Sequence, residues 1–338
     1  MIFNIYEVGK TNFEIMKRIA VIEGGYSEEK IISLKSAQTV FVNLNRSLYD
    51  PCKVLIDENE WTAYDEVGRY PINKDDFSYS KNGIDHFFDI AFIVIHGSPG
   101  EDGKLQGYFD LIGLPYTTPS QMITALTFQK FHCNQFLKNF NIQVAEAILI
   151  KKNDPINPSS IIEKVKLPCF VKPTDGGSSY GVTKVNAENE LKNAIEHAFD
   201  NGSQVIIEAF IEGKEVTNGV FLSSSGIKVL PITEIITENE FFDYGAKYHG
   251  ESNEVTPADL SDETTQKIKK LTHRIYDILG MNGIARADYI LTDEKIPYLI
   301  EINTVPGQSA ESIIPQMAAI EGIGMKELFG EVVESSFN

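Results

Sequence analysis

Apolar runs closed by glycine organise the start of the chain. "RIAVIEGG" is apolar without alternation, the pattern of a strand buried on both faces, and it ends in glycines. In the next stretch, "EEKIISLKSAQTVFVNLNRSL", Leu34, Ala37, Val40, Phe41, Leu44 and Leu48 recur at helical spacing. "FFDIAFIVIHG" is a second buried strand, and "LIGLPYTTPS" reads as a short strand and loop closing a first unit near residue 118. Strand followed by helix predicts an α/β class, with a partly parallel sheet whose ligands sit at strand C-terminal ends.

"SQMITALTFQKFHCNQFLKNFN" predicts a helix opening a second unit, with Met122, Ala125, Leu126, Phe136 and Leu137 on its buried face. In "LPCFVKPTDGGSSYGVTKV" a Gly/Ser loop joins two strands. P-loops and dinucleotide fingerprints need their glycines to open a helix, so this loop is neither. A helix, "ENELKNAIEHAFD", and an apolar strand, "SQVIIEAFIEG", complete that unit. A third unit follows, whose helix "SDETTQKIKKLTHRIYDILG" puts Ile268, Leu271, Ile275 and Ile278 on one face and stops at Gly280. The expected divisions are 16–118, 119–208 and 209–338. Residues 1–15 precede the natural-looking start "MKRIAVIEGG" and read as an extension, the alternative being an integral first strand.

Charge narrows the partners. The 338 residues carry 30 Lys and Arg against 48 Asp and Glu, a net charge of −18. Nucleic acid and anionic membrane surfaces are thus disfavoured as partners, and any anionic ligand must be held by local cations. Cys52, Cys133 and Cys169 lack metal-type spacing and suit a reducing compartment. No apolar run approaches the roughly 20 residues of a membrane span, so a soluble, cytoplasmic protein is expected.

Chemistry concentrates where strands carry misplaced polar groups. In "YLIEINTVPG", Glu301 and Asn303 project from one face while Leu299, Ile300 and Ile302 supply apolar surface around them. "GIARADYIL" sets Arg286 and Asp288 two apart in the same way. Side by side, the two strands would gather Asp288, Glu301 and Asn303 with Arg286, an oxygen-donor set that suits magnesium with phosphates and water completing its shell. The plainer reading is a hairpin with one solvated face. In "VKPTDGGSSYG", Lys172 ends a buried strand before a loop whose backbone N–H groups could cover phosphates, or which simply connects a hairpin. In "VIIEAFIEGKE", Glu208 could hydrogen-bond an adenine edge and Glu215 ribose hydroxyls, or both could be solvated.

From Arg18 onward, the stretches "EGGYSEEKIISL", "HGSPGEDGKLQGYFDLIGLPYT", "FVKPTDGGSSYGVTKV", "IIEAFIEGKEVT", "FFDYGAKY", "ARADYIL" and "EINTVPGQSAESIIP" occur in one order. That order resembles the D-alanine–D-alanine ligases of the ATP-grasp superfamily. The resemblance implies an ATP-grasp fold with an N-terminal Rossmann-like α/β domain. It also implies ATP as cosubstrate with two Mg2+ (or Mn2+), and two D-alanine sites serving peptidoglycan precursor synthesis. By the same resemblance Asp288, Glu301 and Asn303 are metal ligands, with Glu301 bridging both ions. Lys130 and Lys172 contact phosphates, Ser179 caps them, and Lys247 reaches the terminal one. Glu208, Ile211 and Glu215 fall where the family holds adenine and ribose.

Glu29 matches the acceptor of the first D-alanine's ammonium, with Tyr248 and Ser178 as its partners and His96 close by. Ser312 and the Ile313 backbone match the second carboxylate's site. Arg286 and the Gly307 N–H match the donors to the oxyanion. A homodimer formed through the N-terminal domain is expected, and a loop from Gly245 to Glu251 that is mobile without nucleotide. Tyr248 favours an amine acceptor over D-lactate, related ligases with D-lactate or D-serine as acceptor being the alternative. The chain departs from the family pattern at Gln129, Ala209, Gly245 and Gln308.

Overall fold

The computed structural model describes residues 16–27, 29–174, 181–237 and 252–337. Residues 1–15, Ser178, Ser179 and the segment holding Gly245, Lys247 and Tyr248 lie outside the described residues.

Strand β1 (Lys17–Gly24) is flanked in parallel by β2 (Tyr49–Ile56) and β7 (Ile90–Ile93). Beyond β2 the chain adds β3 (Trp61–Tyr64), β4 (Arg69–Asn73), β5 (Ser78–Lys81) and β6 (Ile84–His86). These run antiparallel, so the seven-stranded sheet is partly parallel, as the strand-helix alternation predicts. The apolar runs give no warning of this meander. Its turns are set by aspartates that accept from the backbone two and three residues on: Asp57 from Asn59 and Glu60, Asp65 from Val67 and Gly68.

Helix α1 (Lys30–Asn43) is shorter than its pattern suggests, and its buried face differs. Ala37, Val40 and two serines, Ser33 and Ser36, point inward, whereas Leu34 and Leu48 are exposed. Ser33 is drawn in because its Oγ accepts from the Gly24 N–H at the end of β1, 3.0 Å away. Helix α2 (Lys104–Ile112) follows the loop after β7, and the short strand expected near Tyr116 is a single bridge to Ala91.

The long helix expected from Ser120 is two helices, α3 (Gln121–Phe128) and α4 (Lys130–Lys138). Gln129 breaks them at φ −91°, ψ 83°. Met122 and Phe136 consequently face solvent, while Ile123, Cys133 and Leu137 are buried. The break is held by Thr174, whose hydroxyl donates to Gln129 Oε1 (2.8 Å) and whose carbonyl accepts from the Lys130 N–H (3.1 Å).

A four-stranded antiparallel sheet follows, of β8 (Ala147–Lys151), β9 (Cys169–Pro173), β10 (Thr183–Val185) and β11 (Gln204–Ala209) in the order β10-β9-β11-β8. Alternation divides its faces: Cys169, Val171, Val205 and Ile207 pack on α5 (Pro158–Val165) and α6 (Leu191–Phe199), and Phe170, Lys172 and Glu208 point the other way. A third sheet is formed by β12 (Lys214–Ser223), β13 (Gly226–Thr237), β14 (Ser252–Val255), β15 (Ile284–Leu291) and β16 (Pro297–Asn303), ordered β14-β13-β12-β15-β16. Its rear face packs on α7 (Asp262–Ile278) through Ile268 and Ile275, with Leu271 and Ile278 partly buried.

Helices α8 (Ile313–Ile320) and α9 (Met325–Ser335) join the first and third sheets. Ile19 and Val21 of β1 share one core with Phe221, Ile314, Phe329 and Val333, while Ala20 and Ile22 face the opposite core. That shared core places the loops after β1 and β7 over the front face of the third sheet.

Candidate active site

A cavity of about 900 Å³ opens between the second and third sheets, roofed by loops of the first. Its floor is the β15/β16 pair. Arg286 lies opposite Asn303 and Asp288 opposite Glu301, so two polar pairs face one another across adjacent strands. A bulge follows, with Tyr289 opposite Leu299, which sets Ile300 beside Glu301 on the cavity side and turns Leu299 into the core.

Asp288 is nearly buried and fully engaged. It accepts two bonds from Arg286 (Nε to Oδ1 and an Nη to Oδ2, both 2.8 Å), one from Thr217 Oγ1 (2.5 Å) and one from Asn303 Nδ2 (2.9 Å). Thr217 stands opposite Asp288 on β12, a partner the sequence did not single out. Glu301 faces Lys130, Nζ to Oε2 3.1 Å, and it is the break at Gln129 that brings this lysine into the cavity. Burial works against the Lys130 ammonium, yet the charge of Glu301, with Glu101 and Glu208 behind it, raises its pKa on balance.

On the opposite wall Lys172 meets Glu208 at 2.5 Å, both largely buried, so Glu208 is a paired carboxylate rather than a solvated one. Ile211 and Glu215 line the same wall. Glu254, on β14, also lines it; burial raises its carboxyl pKa, against the pull of Arg286.

Glu29, immediately before α1, and His96, after β7, line the roof. His96 is 7% exposed, and burial holds its imidazole pKa low, opposed by the charge of Glu29 and by the neighbouring Val305 backbone. Beside them is Glu101, which reasoning from the sequence passed over. Its Oε2 accepts from the Gly97 N–H (2.8 Å) and its Oε1 from the Val305 N–H (3.1 Å). Burial, then the neighbouring Glu29 charge, pushes its pKa up to about 7.

Gly307, Ser312 and Ile313 lie at the far end of the cavity. Ser312 caps α8 by position, and its Oγ is engaged by Ser309, at 3.1 Å from the backbone N and 2.9 Å from the hydroxyl. A Cβ at Gly307 would lie 2.7 Å from that Oγ and 3.2 Å from the Ser312 Cβ, so a side chain there would press the Ser312 hydroxyl off Ser309.

Among the described residues no group of three or more His, Cys, Asp or Glu is arranged to hold a metal. Two carboxylates and a carboxamide stand together instead. These are hard oxygen donors and leave room in the shell for phosphate and water, so the set fits a magnesium or manganese ion that arrives with a nucleotide. All the candidate residues that the structure describes therefore line one cavity; Ser178, Ser179, Lys247 and Tyr248 lie outside the described residues. No helix among the described residues is long and apolar enough to cross a membrane.

A family model described as D-ala D-ala ligase N-terminus matches residues 18–119, and one described as D-ala D-ala ligase C-terminus matches residues 136–334. A D-alanine–D-alanine ligase of Phocaeicola vulgatus is 46% identical over 324 residues, 95% of this chain and 100% of that protein. One of Flavobacterium johnsoniae is 46% identical, covering 95% of this chain and 99% of that one. Among solved structures, a D-Ala:D-Ser ligase from Enterococcus faecalis superposes with a TM-score of 0.85 at 31% identity, covering 95% of this chain and 99% of that one. The D-alanine–D-alanine ligase of Bacillus anthracis complexed with ATP gives 0.77 at 28%, covering 95% and 97%.

Proposed function

The chain belongs to the D-alanine–D-alanine ligase family, and from that premise we propose how its cavity divides the work of joining two D-alanine molecules at the expense of ATP. Its fold is the ATP-grasp fold of those ligases. The observation carrying the reading is the register that faces Arg286 and Asp288 against Asn303 and Glu301, with Lys130 and Lys172 in the same cavity. We read the chain as three units, 16–118, 119–208 and 209–338, after an extension of residues 1–15.

In the first step a carboxylate oxygen of the first D-alanine attacks the γ-phosphorus of ATP, ADP leaves, and an acyl phosphate forms. Two anions must meet, so cations have to neutralise the developing charge. Lys130 and Lys172 supply charge from opposite walls, with Ser179 and Lys247 assigned to the phosphates from segments outside the described residues. Metal ions bound there would add further neutralisation, and Asp288, Glu301 and Asn303 are the residues to hold them. Glu208, Ile211 and Glu215 line the wall suited to adenine and ribose.

Glu29 receives the ammonium of the first D-alanine, with His96 beside it, and Ser178 and Tyr248 complete that site. The amine of the second D-alanine, its carboxylate held by Ser312 and the Ile313 N–H, attacks the activated carbonyl. Arg286 and the Gly307 N–H donate to the oxyanion, and collapse expels phosphate and leaves D-alanyl-D-alanine. This dipeptide is a precursor for peptidoglycan. We further propose a homodimer in the cytoplasm, which sedimentation of the purified protein and fractionation of cells would check.

The test is phosphate release from ATP that requires both a divalent metal and D-alanine, with the dipeptide identified by mass. A protein that hydrolyses ATP indifferently to D-alanine would refute the reading. Competing D-alanine with D-serine and D-lactate at neutral pH tests the acceptor, and D-alanyl-D-alanine is the expected main product.

A further inference from the structure

We propose that Glu101 is a positioning residue, which holds the turn presenting the Gly307 N–H to the loop that carries His96. The inference rests on the reading of Gly307 as an oxyanion donor. The loop after β7 curls on itself: Gly100 and Glu101 donate their N–H groups to the Gly97 carbonyl at 2.9 and 2.8 Å, and Glu101 Oε2 accepts from Gly97 in return. The second carboxylate oxygen is left to reach out of the loop. It takes the N–H of Val305, 204 residues away in the chain.

Val305 is 4% exposed and is held by this loop through its N–H, which donates to Glu101. Two residues further on comes Gly307, with Pro306 restricting the backbone between them. The far side of the turn is pinned as well. The Gln308 N–H donates to Ser36 Oγ at 3.1 Å, and Ser36 belongs to α1, the helix that Glu29 precedes. Gly307 is therefore suspended between two anchors, each on an element flanking the proposed site for the first D-alanine.

A carboxylate is the right group for this task because each oxygen serves one backbone N–H. A carboxamide could accept from only one and would turn its own NH2 against the other. Loss of the Val305 bond frees the turn and displaces the donor. Displacement affects ligation more than phosphoryl transfer, because the tetrahedral oxyanion exists only in the second step.

The experiment measures phosphate released and dipeptide formed by the full-length protein, at saturating ATP and D-alanine, in the wild type and in Glu101→Gln, Ser36→Ala and Gly307→Ala. The wild-type ratio should be close to one. In Glu101→Gln, dipeptide formation should fall roughly tenfold or more, between a small misplacement and complete loss of an oxyanion donor. The phosphate-to-dipeptide ratio should rise to about two or above as stranded acyl phosphate hydrolyses. Ser36→Ala should raise the ratio in the same direction.

The ratio does not depend on how much of a variant is folded, so a merely structural role lowers both products together and leaves it at one. A ratio of one in Glu101→Gln overturns the inference, whatever the absolute rate. If Gly307→Ala raises the ratio and Glu101→Gln does not, the positioning role alone fails. If neither does, the donor reading fails and takes the inference with it. A wild type that forms no dipeptide refutes the functional reading itself.

Discussion

Glu301→Gln separates a metal ligand from an ordinary buried ion pair. The substitution keeps the shape and removes the charge facing Lys130 at 3.1 Å, where the side chains are 13% and 19% exposed. At an effective dielectric of 20 the Coulomb attraction is about 5 kcal/mol. Most of it offsets the desolvation of the two groups, and breaking such a pair when fully buried costs about 3–5 kcal/mol. Lys130 also feels Glu101 and Glu208, so its charge is not left uncompensated. A loss of roughly 1–2 kcal/mol is expected, a shift of only a few degrees in Tm for a protein of this size.

A purely structural role would therefore leave turnover near normal at 25 °C. If Glu301 holds the metal that neutralises the phosphates, D-alanine-dependent phosphate release should fall by about 10³ or more, since several kcal/mol of transition-state stabilisation disappear. The assay is coupled phosphate release at saturating ATP, D-alanine and Mg2+, with the melting midpoint measured in parallel. A folded variant retaining a tenth of wild-type turnover would refute the metal assignment.

Gly307→Ala should lower kcat about 10²-fold if the new Cβ, 2.7 Å from Ser312 Oγ and 3.2 Å from its Cβ, displaces the turn; steady-state kinetics that leave kcat unchanged would count against the oxyanion role. Lys172→Met should raise the KM for ATP roughly tenfold or more, the worth of one charge-assisted contact, read from initial rates against ATP. Lys130→Met should weaken ATP but strengthen nucleotide-free Mn2+ binding, measured by proton relaxation, because Glu301 loses its competing cation; unchanged Mn2+ affinity contradicts this. Glu101, with its pKa raised to about 7, keeps its proton in the fold up to about that pH, above which it is the carboxylate that accepts both N–H bonds, while the unfolded chain ionises above pH 4.5. It therefore contributes stability that is lost as pH rises through about 7, with a slope of at most about 1.4 kcal/mol per unit. Urea midpoints between pH 5 and 8 should fall less steeply in Glu101→Gln than in the wild type.

What the sequence revealed followed from local periodicity. The β15/β16 floor was legible because period-two alternation fixes which residues share a face and a short turn makes the two strands neighbours. The fold class followed from the unbroken apolar runs of β1 and β7. The helix break at Gln129 was not legible, since neither Gly nor Pro marks it; Thr174, 45 residues away, stabilises it. The meander from β3 to β6 escaped because its strands are three to five residues long, too short for a periodicity to register. Glu101 was invisible for a related reason. Its partner at Val305 is brought near only by the core shared between the first and third sheets.

The cavity resolves the difficulty posed by a chain of net charge −18 that must bind a polyanion. Its three proposed cationic contacts among the described residues each face a carboxylate: Lys130 meets Glu301, Lys172 meets Glu208, and Arg286 meets Asp288. The pairing holds the Lys130 ammonium in its charged form, since burial alone would favour loss of its proton. It also means that a phosphate competes for cations that are already engaged. Each carboxylate released in that exchange would be open to another cation, and Glu301 and Asp288 are the two proposed, with Asn303, to hold a divalent ion. On that assignment nucleotide and metal would favour one another through the same side chains, and by linkage the effect would be equal in both directions. Arg286 differs from the lysines because its two-pronged bond to Asp288 lies along a single strand. Exchange there would free a guanidinium that already lines the cavity, where the oxyanion is proposed to form.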